Sequence, residues 1–389
     1  MKISVASAMA DIPATDWDIC MRDAAMRAGD DADNPFMRHA FLHALEASGS
    51  ARPSTGWQPL HVLVQDDAGT LVAAAPCYLK GHSQGEYVFD HGWADAYERA
   101  GGQYYPKLIV CVPFTPATGP RLLVRAGEGE DAARKALLAG LDALREQTGV
   151  SSLHVTFPTH EEWLRLGEAG YLLREDCQYH WQNENYQDFD AFLAALSSRK
   201  RKVIRRERKE ALAAGITIDW LTGDSITEAD WDDFFIFYQD TGSRKWGRPY
   251  LTRDFYRRIG QTMADRVLLV MARREGRAIA GAINFIGQET LYGRHWGAIE
   301  EHPFLHFEVC YYQAIEYAIT HGLQRVEAGA QGEHKLARGY RPVLTKSAHA
   351  ITDPGFREAI RDWLAHERQA VEESASELAE ELPFRTSQA

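Results

Sequence analysis

Alternating and helical spacings of apolar residues divide the chain into short strands and longer helices. In the first half, two apolar runs, Leu60–Gln65 and Thr70–Lys80, predict a hairpin that turns at Asp67-Ala68-Gly69. Further strands are predicted at Glu86–Asp90, Leu108–Val112 and Ser152–Phe157. Helices are predicted at Asp16–Ala28, Phe36–Ala47, Asp131–Gln147 and Trp163–Glu168.

The second half repeats this alternation more regularly. Helices are predicted at Phe189–Leu196, Ser198–Ala214, Glu228–Thr241, Thr252–Met263 and Phe304–Thr320. Strands are predicted at Ile216–Leu221, Val267–Ala272, Ala278–Ile286, Thr290–Gly297, Gln324–Glu327 and Val343–Ile351. The three strands between Val267 and Gly297 form an antiparallel meander, and Gly322 ends the long helix as a glycine stop. The repeated order predicts two domains, residues 1–175 and residues 176–389.

Length and composition narrow the class of protein. A chain of 389 residues is too long for one compact core, and 45% hydrophobic with 25% charged residues is ordinary globular composition. The apolar runs are far shorter than the roughly 20 residues that span a bilayer, and no clear secretion signal is present. The five cysteines are scattered, which argues against a disulfide framework. We therefore expect a cytoplasmic protein without a membrane span.

Charge is distributed unevenly along the chain. The net charge is −12, yet residues 199–209 carry eight Lys or Arg and one Glu. On a helix, one arc would hold Arg201, Lys202, Arg205, Arg206, Arg208 and Lys209. This arc predicts an anionic partner, either a tRNA acceptor stem or a phosphorylated precursor, and the alternative is a solvated helix face. The acidic stretch Glu367–Glu381 predicts a solvated terminal helix.

Several stretches carry a resemblance to a known family. They are GEYVFDHGWADAYERAGGQYYPKL (Gly85–Leu108), VPFTPATGPRLL (Val112–Leu123), SSRKRKVIRRER (Ser197–Arg208), the long block Leu291–Pro342, and SAH (Ser347–His349). In these stretches the chain resembles the FemAB-like proteins of Gram-negative bacteria, which are described as predicted N-acyltransferases or peptidoglycan-biosynthesis proteins. The matching stretches are spread over nearly the whole chain, and the long block is the most specific.

The resemblance implies both a fold and an activity. The implied fold is α/β (α+β), with two tandem GNAT-like (acyl-CoA N-acyltransferase) domains, each a mixed, mostly antiparallel sheet flanked by helices. The implied activity is a transferase reaction, in which an acyl or aminoacyl group passes to an amine acceptor, a small molecule or a peptide, in peptidoglycan or cell-envelope metabolism. Relatives in Gram-positive bacteria take the amino acid from aminoacyl-tRNA.

The acyl donor stays open because one motif departs from the usual pattern. GNAT enzymes that use acetyl-CoA carry Arg/Gln-x-x-Gly-x-Gly/Ala after the fourth strand, where backbone amides bind the pyrophosphate. This chain has Gly297-Ala-Ile-Glu-Glu-His-Pro303 instead, and its two carboxylates would repel a pyrophosphate. We expect no tightly bound cofactor, and the donor is either aminoacyl-tRNA or acyl-CoA or another acyl thioester.

Amine acylation needs a base for the attacking ammonium, hydrogen-bond donors to the developing oxyanion, and an acid for the leaving group. In a GNAT domain these groups gather where the fourth and fifth strands part, beside the long helix. On the fourth strand, alternation places Tyr292, Arg294 and Trp296 on one face, where we expect substrate contacts. The alternative is a cross-strand pair with aromatic packing.

Glu308 lies on an otherwise apolar arc of the long helix, with Ile315 and Ile319. A carboxylate in such a position is costly unless it is paired or functional, so Glu308 is a candidate catalytic residue. The alternative is a glutamate in the first helical turn that satisfies free backbone amides. His306, on another face, is interpreted as a packed and hydrogen-bonded histidine.

The strongest candidate site is the segment Glu327–Tyr340, which leaves a strand end through two glycines. Its candidate catalytic residues are Glu327, Glu333 and His334, and its candidate substrate contacts are Gln331, Lys335, Arg338 and Tyr340. We expect Glu327 or Glu333 to be the base, and His334 with the nearby cations to hold substrate charge or the oxyanion. The alternative is a well-solvated connection.

A metal site is not predicted, although five histidines lie in the second half near these residues. They are His295, His302, His306, His334 and His349. His302 and His306 have a ligand-like spacing, but Pro303 interrupts it and no thiolate pair supports them. Two functions from different classes therefore remain: an acyltransferase, or a non-catalytic GNAT-shaped module that binds RNA or another polyanion through residues 199–209.

Overall fold

The computed structural model describes residues 1–245, 249–329 and 332–385. The chain forms two compact units. The first unit is Met1–Asp176 with Leu344–Glu372, and the second is Cys177–Val343 with Glu373–Ala389. The sequence analysis assigns residues 344–372 to the second domain. The structure groups them with the first unit, in which Ser347–Ile351 pairs antiparallel with Ser152–Thr156.

Residues 1–182 supply most of the first unit. Their strands are β1 (Lys2–Ala6), β2 (Trp57–Pro59), β3 (His61–Gln65), β4 (Leu71–Ala75), β5 (Cys77–Lys80), β6 (Lys107–Val110), β7 (Leu123–Val124), β8 (Ser152–Thr156) and β9 (Leu172–Gln182). Their helices are α1 (Ala14–Ala28), α2 (His39–Ala47), α3 (His91–Arg99), α4 (Glu130–Thr148) and α5 (His160–Glu168). One sheet has the order β1-β3-β4-β7, and in another β5 pairs with β2 and β6.

The predicted hairpin is confirmed, but its second arm is divided. Pro76 has no backbone N–H to donate, so the run Thr70–Lys80 splits into β4 and β5, which join different sheets. The predicted strand Glu86–Asp90 is wrong. Its residues are a loop in which Tyr87 has a left-handed φ of 60°. Glu86, Val88 and Asp90 are buried in alternation there, which explains why the pattern imitated a strand.

Residues 183–385 supply most of the second unit and also residues 344–372 of the first. Their helices are α6 (Phe189–Ala195), α7 (Ser198–Ala211), α8 (Glu228–Lys245), α9 (Arg253–Thr262), α10 (Leu305–Phe307), α11 (Gln313–Thr320) and α12 (Pro354–Glu380). Their strands are β10 (Ile216–Thr222), β11 (Val267–Arg274), β12 (Arg277–Ile286), β13 (Thr290–Ala298), β14 (Arg325–Glu327) and β15 (Arg341–Ile351). The meander β11-β12-β13 is confirmed, with β10 on one side and β14 followed by β9 on the other.

Close packing of α8 on the meander depends on a glycine in β13. A Cβ at Gly297 would lie 2.0 Å from the carbonyl oxygen of Phe237 in α8, so only glycine allows this approach. On the sheet side that faces the long helix, apolar residues such as Leu268, Ile279, Val309 and Ile315 form the core of the second unit.

A parallel pair of strands parts in the second unit. β13 and β14 pair in parallel over Thr290–Tyr292 and Arg325–Glu327, after which β14 ends while β13 continues to Ala298. In the first unit, β6 and β8 are likewise parallel and are joined through helix α4. These arrangements confirm the predicted fold class of tandem GNAT-like domains. Across the described ranges, no helix is both long and apolar enough to cross a membrane.

Candidate active site

A β-bulge in β13 displaces Arg294 from the regular ladder. Asn284 pairs with Gly293 and Ile283 with His295, so Arg294 is the extra residue. Bulges re-aim side chains and are common beside active sites. The predicted common face is therefore wrong: Tyr292 pairs with Phe285, whereas Trp296 pairs with Ala282, which points to the opposite side of the sheet. The prediction from alternating side chains was wrong because the extra residue moves every later side chain of the strand to the other face of the sheet.

Four side chains from three elements meet on the Trp296 side of β13. The rings of Trp296 and His306 are 4.9 Å apart, and His306 lies 5.4 Å from Tyr311. The Tyr311 hydroxyl is 2.9 Å from Nε2 of His334, which is exposed on the loop after β14. Beside them lies a cavity of about 650 Å³, lined in part by Trp296, His306 and Glu301. These four residues are called the aromatic–histidine cluster below.

The long helix contains a π-helical turn, Glu308–Tyr312, between α10 and α11. A π turn brings residues five apart onto one face, and such turns are frequent at functional sites. Nε2 of Gln313 accordingly donates to Glu308 at 2.6 Å, and His306 reaches Tyr311. The sequence prediction of an ordinary helix, with a step of about 100°, grouped His306 with Gln313 and therefore missed both pairs.

Glu308 is fully buried, and its carboxylate accepts hydrogen bonds from Arg208. Arg208 donates to it from Nε at 3.1 Å and from Nη2 at 2.9 Å. Nη2 of the same arginine also donates to Glu316 at 2.6 Å. Both carboxylate oxygens of Glu308 therefore accept hydrogen bonds from Arg208. Arg208, one of the predicted polyanion contacts, is half-buried, and its positive charge is paired with these two carboxylates.

Three predicted substrate contacts, Tyr292, Arg338 and Tyr340, are buried. The guanidinium of Arg338 lies 3.5 Å above the ring of Phe307 and donates to Glu207 at 2.9 Å. Tyr340 packs in the core of the second unit. In this conformation these side chains support the site from beneath rather than lining it.

Glu327, at the end of β14, is buried beside two nitrogen-bearing side chains. Its Oε1 lies 3.5 Å from Nε of Arg325 and 3.8 Å from Nδ1 of His180. Burial lowers the pKa of His180 to about 3, with Arg325 and Lys335 adding to the effect, so this imidazole is neutral. Arg325 is therefore the cation that balances Glu327 within this group.

Lys335 is buried, and a backbone carbonyl is its hydrogen-bond partner among the described residues. Its Nζ donates to the carbonyl oxygen of Gly329 at 2.9 Å, and within the described residues no carboxylate oxygen lies within 4.0 Å of it. The pKa of Lys335 is lowered to about 7, chiefly by burial, with opposing smaller effects of Cys310, which raises it, and of Arg294, which lowers it. Two other predicted site groups, Gln331 and the side chain of Glu333, lie outside the described part of the chain.

Helix α7 presents most of its cations to solvent. Its buried side is formed by Ile204, Glu207 and Ala211. The predicted polyanion contacts that remain at least partly exposed are Arg201, Lys202, Arg205, Arg206 and Lys209. Arg205 pairs with Asp190 at 2.8 Å and Arg206 with Glu210 at 3.6 Å, both in exposed positions where ion pairs are weak and exchangeable.

The corresponding place in the first unit is filled. Where β8 ends, the fully buried guanidinium of Arg121 donates to the carbonyl oxygens of Thr156 at 2.9 Å, Ala117 at 2.7 Å and Gly119 at 3.0 Å. Glu162 accepts the backbone N–H groups of Arg121 and Leu122. The side chains of Arg121 and Glu162 therefore hold the backbone of residues 117–122 in place at the end of the parallel strands β6 and β8.

The first unit also contains a buried polar network that sequence reasoning missed. Nζ of Lys107 donates to Glu86 at 2.7 Å and to Asp90, and the Tyr104 hydroxyl donates to Asp90 at 2.6 Å. Nε2 of His154 lies 4.0 Å from Asp90. Burial lowers the pKa of His154 to about 3, so it is neutral.

A second branch of this network joins two strands. Nδ1 of His154 lies 2.6 Å from Nδ1 of His349, and the outer nitrogens of the two rings reach Ser152 at 2.7 Å and Ser347 at 2.9 Å. The available signal was polar residues at every second position of otherwise apolar strands, together with the acidic residues of the Gly85–Leu108 stretch. Across the described residues, no group of three or more His, Cys, Asp or Glu could hold a metal ion.

Fold and site together define a protein of tandem GNAT-like architecture. The sequence model of the FemAB_like family, described as peptidoglycan biosynthesis/recognition, matches residues 8–386. The chain therefore belongs to the FemAB-like family. A comparison with curated proteins finds no match.

Solved structures with the same fold are distant in sequence. FemX has a TM-score of 0.54 at 12% identity, covering 93% of this chain and 100% of FemX. The C-terminal domain of a putative lysylphosphatidylglycerol synthetase from Agrobacterium fabrum has a TM-score of 0.51 at 10% identity, covering 91% and 97%. A conserved protein of unknown function from Bacteroides thetaiotaomicron has a TM-score of 0.50 at 13% identity, covering 90% and 100%. At these identities the likeness concerns the fold.

Proposed function

We propose that this FemAB-like protein is an acyltransferase that attaches an acyl or aminoacyl group to an amine of a peptidoglycan precursor, and that the reaction takes place in the second unit. The observation that supports this most directly is the aromatic–histidine cluster beside the cavity, where β13 and β14 part. The description of the family supports the peptidoglycan context.

Two groups suited to acyl transfer lie on elements that form the cluster, namely β13 and the loop after β14. Arg294, half-buried in the bulge, is suited to stabilise the oxyanion that forms when the amine attacks the carbonyl carbon. His334, oriented by the Tyr311 hydroxyl, is suited to return a proton to the leaving group. In the first unit, by contrast, Arg121 fills the corresponding place. We therefore assign the chemistry to the second unit.

The donor is proposed to be held without the usual pyrophosphate loop. Glu300, in the segment that replaces the loop, is paired with Arg274 at 3.0 Å and with Nε2 of His302 at 2.9 Å. This segment therefore offers carboxylates where CoA would need donors. The exposed cations of α7 favour a polyanionic donor, and aminoacyl-tRNA fits that chemistry better than a free thioester.

The test is an in vitro transfer assay. The purified protein is incubated with a nucleotide-linked muropeptide precursor and either aminoacyl-tRNA or acyl-CoA, and products are detected by mass spectrometry. We expect the acceptor to gain one acyl or aminoacyl residue, and His334→Ala to lower the rate at least 10²-fold. His366→Ala, on exposed α12, is the matched control and should leave the rate unchanged. Equal rates for both variants would contradict the assignment of the site.

A second function, binding of RNA without catalysis, is favoured only by the exposed cations of α7. The double variant Arg201→Glu/Arg205→Glu should then abolish RNA binding in a gel-shift assay, and the salt dependence of binding should be steep. Arg361→Glu, on exposed α12, is the control for a general loss of positive charge. RNA binding by the wild type without transfer from any donor would favour this second function.

A further inference from the structure

We propose that His306, in the wall of the cavity beside the aromatic–histidine cluster, is the base that takes the proton from the attacking ammonium group. This inference rests on the proposed function, which leaves the base unassigned. It also changes the role of His306, which the sequence suggested to be a packed histidine. Three observations support it: the imidazole lines the cavity, the other titratable groups of the lining are less suitable, and His334 lies close by.

The imidazole of His306 forms part of the cavity wall. Its side chain is half-buried, so a ligand in this space of about 650 Å³ can contact it. A volume of this size is typical of small-molecule sites. The ring centroids of Trp296, Tyr311 and Phe307 lie 4.9, 5.4 and 5.6 Å from that of His306. These rings orient the imidazole and keep water from the sides that they cover, which favours proton exchange with a bound substrate.

Three other titratable side chains line the cavity in the described part of the chain: Glu300, Glu301 and His302. Glu300 accepts a hydrogen bond from Nε of Arg274 at 3.0 Å and lies 2.9 Å from Nε2 of His302. Both contacts lower the pKa of Glu300 and therefore its affinity for a proton. Glu301 is exposed to solvent. Within this lining, His306 is the group that combines contact with the cavity and packing against the aromatic rings.

The carboxylates predicted as bases from the sequence are placed less favourably. Glu308 and Glu327 are buried, and neither lines the cavity. Glu308 accepts hydrogen bonds from Arg208 at 3.1 and 2.9 Å, and Oε1 of Glu327 lies 3.5 Å from Nε of Arg325. Such cations stabilise the ionised carboxylate and weaken it as a base. The third predicted base, the side chain of Glu333, lies outside the described part of the chain.

A second imidazole, that of His334, lies near the first. The ring centroids of His306 and His334 are 6.3 Å apart. A hydrogen bond spans about 2.6–3.2 Å between heavy atoms, so a reacting group between the two rings can be within reach of both. The Tyr311 hydroxyl, 2.9 Å from Nε2 of His334, orients the second ring. One imidazole can therefore take the proton of the acceptor while the other serves the leaving group.

The proton balance of the proposed step is complete. The acceptor ammonium gives one proton to the imidazole of His306 and becomes a neutral amine. Its nitrogen then forms a bond to the donor carbonyl carbon, and the ester or thioester bond of the donor breaks. The second nitrogen proton reaches the leaving oxygen or sulfur, with His334 as carrier. His306 finally releases its proton to solvent, so one proton is produced for each amide formed.

Substitution by phenylalanine separates a base from a packing residue. His306→Phe keeps a ring against Trp296 but removes both nitrogens, and we expect kcat in the transfer assay to fall by about 10²- to 10⁴-fold. His366→Phe, on exposed α12, is the matched control and should behave as wild type. Thermal unfolding checks that each variant is folded, and His306→Gln serves if the phenylalanine variant is not. A folded His306→Phe or His306→Gln variant with nearly full activity would overturn the inference but not the proposed function.

The pH dependence of the defect gives a readout that a packing role would not produce. An alkyl ammonium group loses its own proton as the pH rises towards about 10, so the acceptor then needs a base less. The ratio of wild-type to His306→Phe activity should therefore shrink between about pH 7 and pH 9.5. A ratio that stays constant over this range would overturn the inference.

Chemical rescue tests the same role in a smaller variant. In His306→Ala, added imidazole can enter the cavity and replace the missing base, so activity should rise with the concentration of its neutral form. Rescue that is independent of the protonation state of the added imidazole would overturn the inference. If the wild type transfers no acyl group from any donor, the proposed function fails as well.

Discussion

The most demanding stability prediction concerns Lys107 in the buried polar network of the first unit. Lys107→Met removes the ammonium group that donates to Glu86 at 2.7 Å and to Ser83 at 2.8 Å, and that also holds Asp90. Lys107, Glu86 and Asp90 are all at most 4% exposed. The methionine fills a similar volume, so the change isolates the loss of charge from the loss of packing.

Its magnitude follows from the burial of the partners. Breaking a buried ion pair from one side costs about 3–5 kcal/mol, because the remaining charge is left without compensation. For a unit of this size, each kcal/mol lowers Tm by about 2–4 °C, so we expect a decrease of about 6–20 °C. Burial opposes the charge of Lys107, yet Glu86 and Asp90 outweigh it and raise the pKa of the ammonium group.

The pH dependence of this loss has a defined sign. In the wild type, burial already raises the pKa of Glu86 to about 7, whereas Lys107 outweighs burial at Asp90 and holds the pKa of that carboxyl below its usual value. Without Lys107, burial raises both pKa values in the folded state above those in the unfolded state. Protonation at low pH then relieves the penalty. The difference in unfolding free energy between wild type and Lys107→Met should therefore be largest at pH 7 and should shrink as the pH falls towards about 4.

The assay is urea denaturation and thermal unfolding of wild type and variant between pH 4 and pH 7. Lys135→Met, which removes an exposed lysine from α4, is the matched control and should cost less than about 0.5 kcal/mol. If Lys107→Met and Lys135→Met have Tm values within about 2 °C of each other at pH 7, the reasoning about buried charge in this network is refuted.

Three further stability predictions follow from the same structure, and each is checked by urea or thermal unfolding. Arg208→Met leaves Glu308 buried without its cation and should cost about 3–5 kcal/mol, and a loss below about 1 kcal/mol would contradict the described fork. The lowered pKa of His154 stabilises the fold above pH 6.5, and this contribution is lost as the pH falls towards 3. His154→Asn should therefore flatten the pH dependence of unfolding by up to about 1.4 kcal/mol per pH unit in that range, and an unchanged slope would speak against a neutral buried imidazole. Gly297→Ala places a methyl group 2.0 Å from the Phe237 carbonyl and should cost about 1–3 kcal/mol, unlike Gly92→Ala, which meets no atom within 4 Å.

The elements of the second unit were largely predictable because their patterns are local. The meander β11-β12-β13 follows from alternation and two turns, and the bounds of α6, α7 and α9 agree with the helical spacing to within a few residues. Local errors arose where one residue changed the geometry. Pro76 divided a strand, and Arg294 entered β13 as a bulge that moved Trp296 to the opposite face from Tyr292.

The sequence by itself determined the tandem fold and the family resemblance, and it predicted the region of the candidate site. Each depends on local spacing or on motifs that can be read along the chain. Only the tertiary structure decided which polar side chains form hydrogen bonds or ion pairs with one another. Arg208 and Glu308 are 100 residues apart in the chain, and His154 and His349 are 195 apart. Burial and long-range pairing set the charge of such groups, and neither is encoded in the local pattern, so the sequence could not show that burial lowers the pKa of Lys335, a residue expected to bind substrate as a cation.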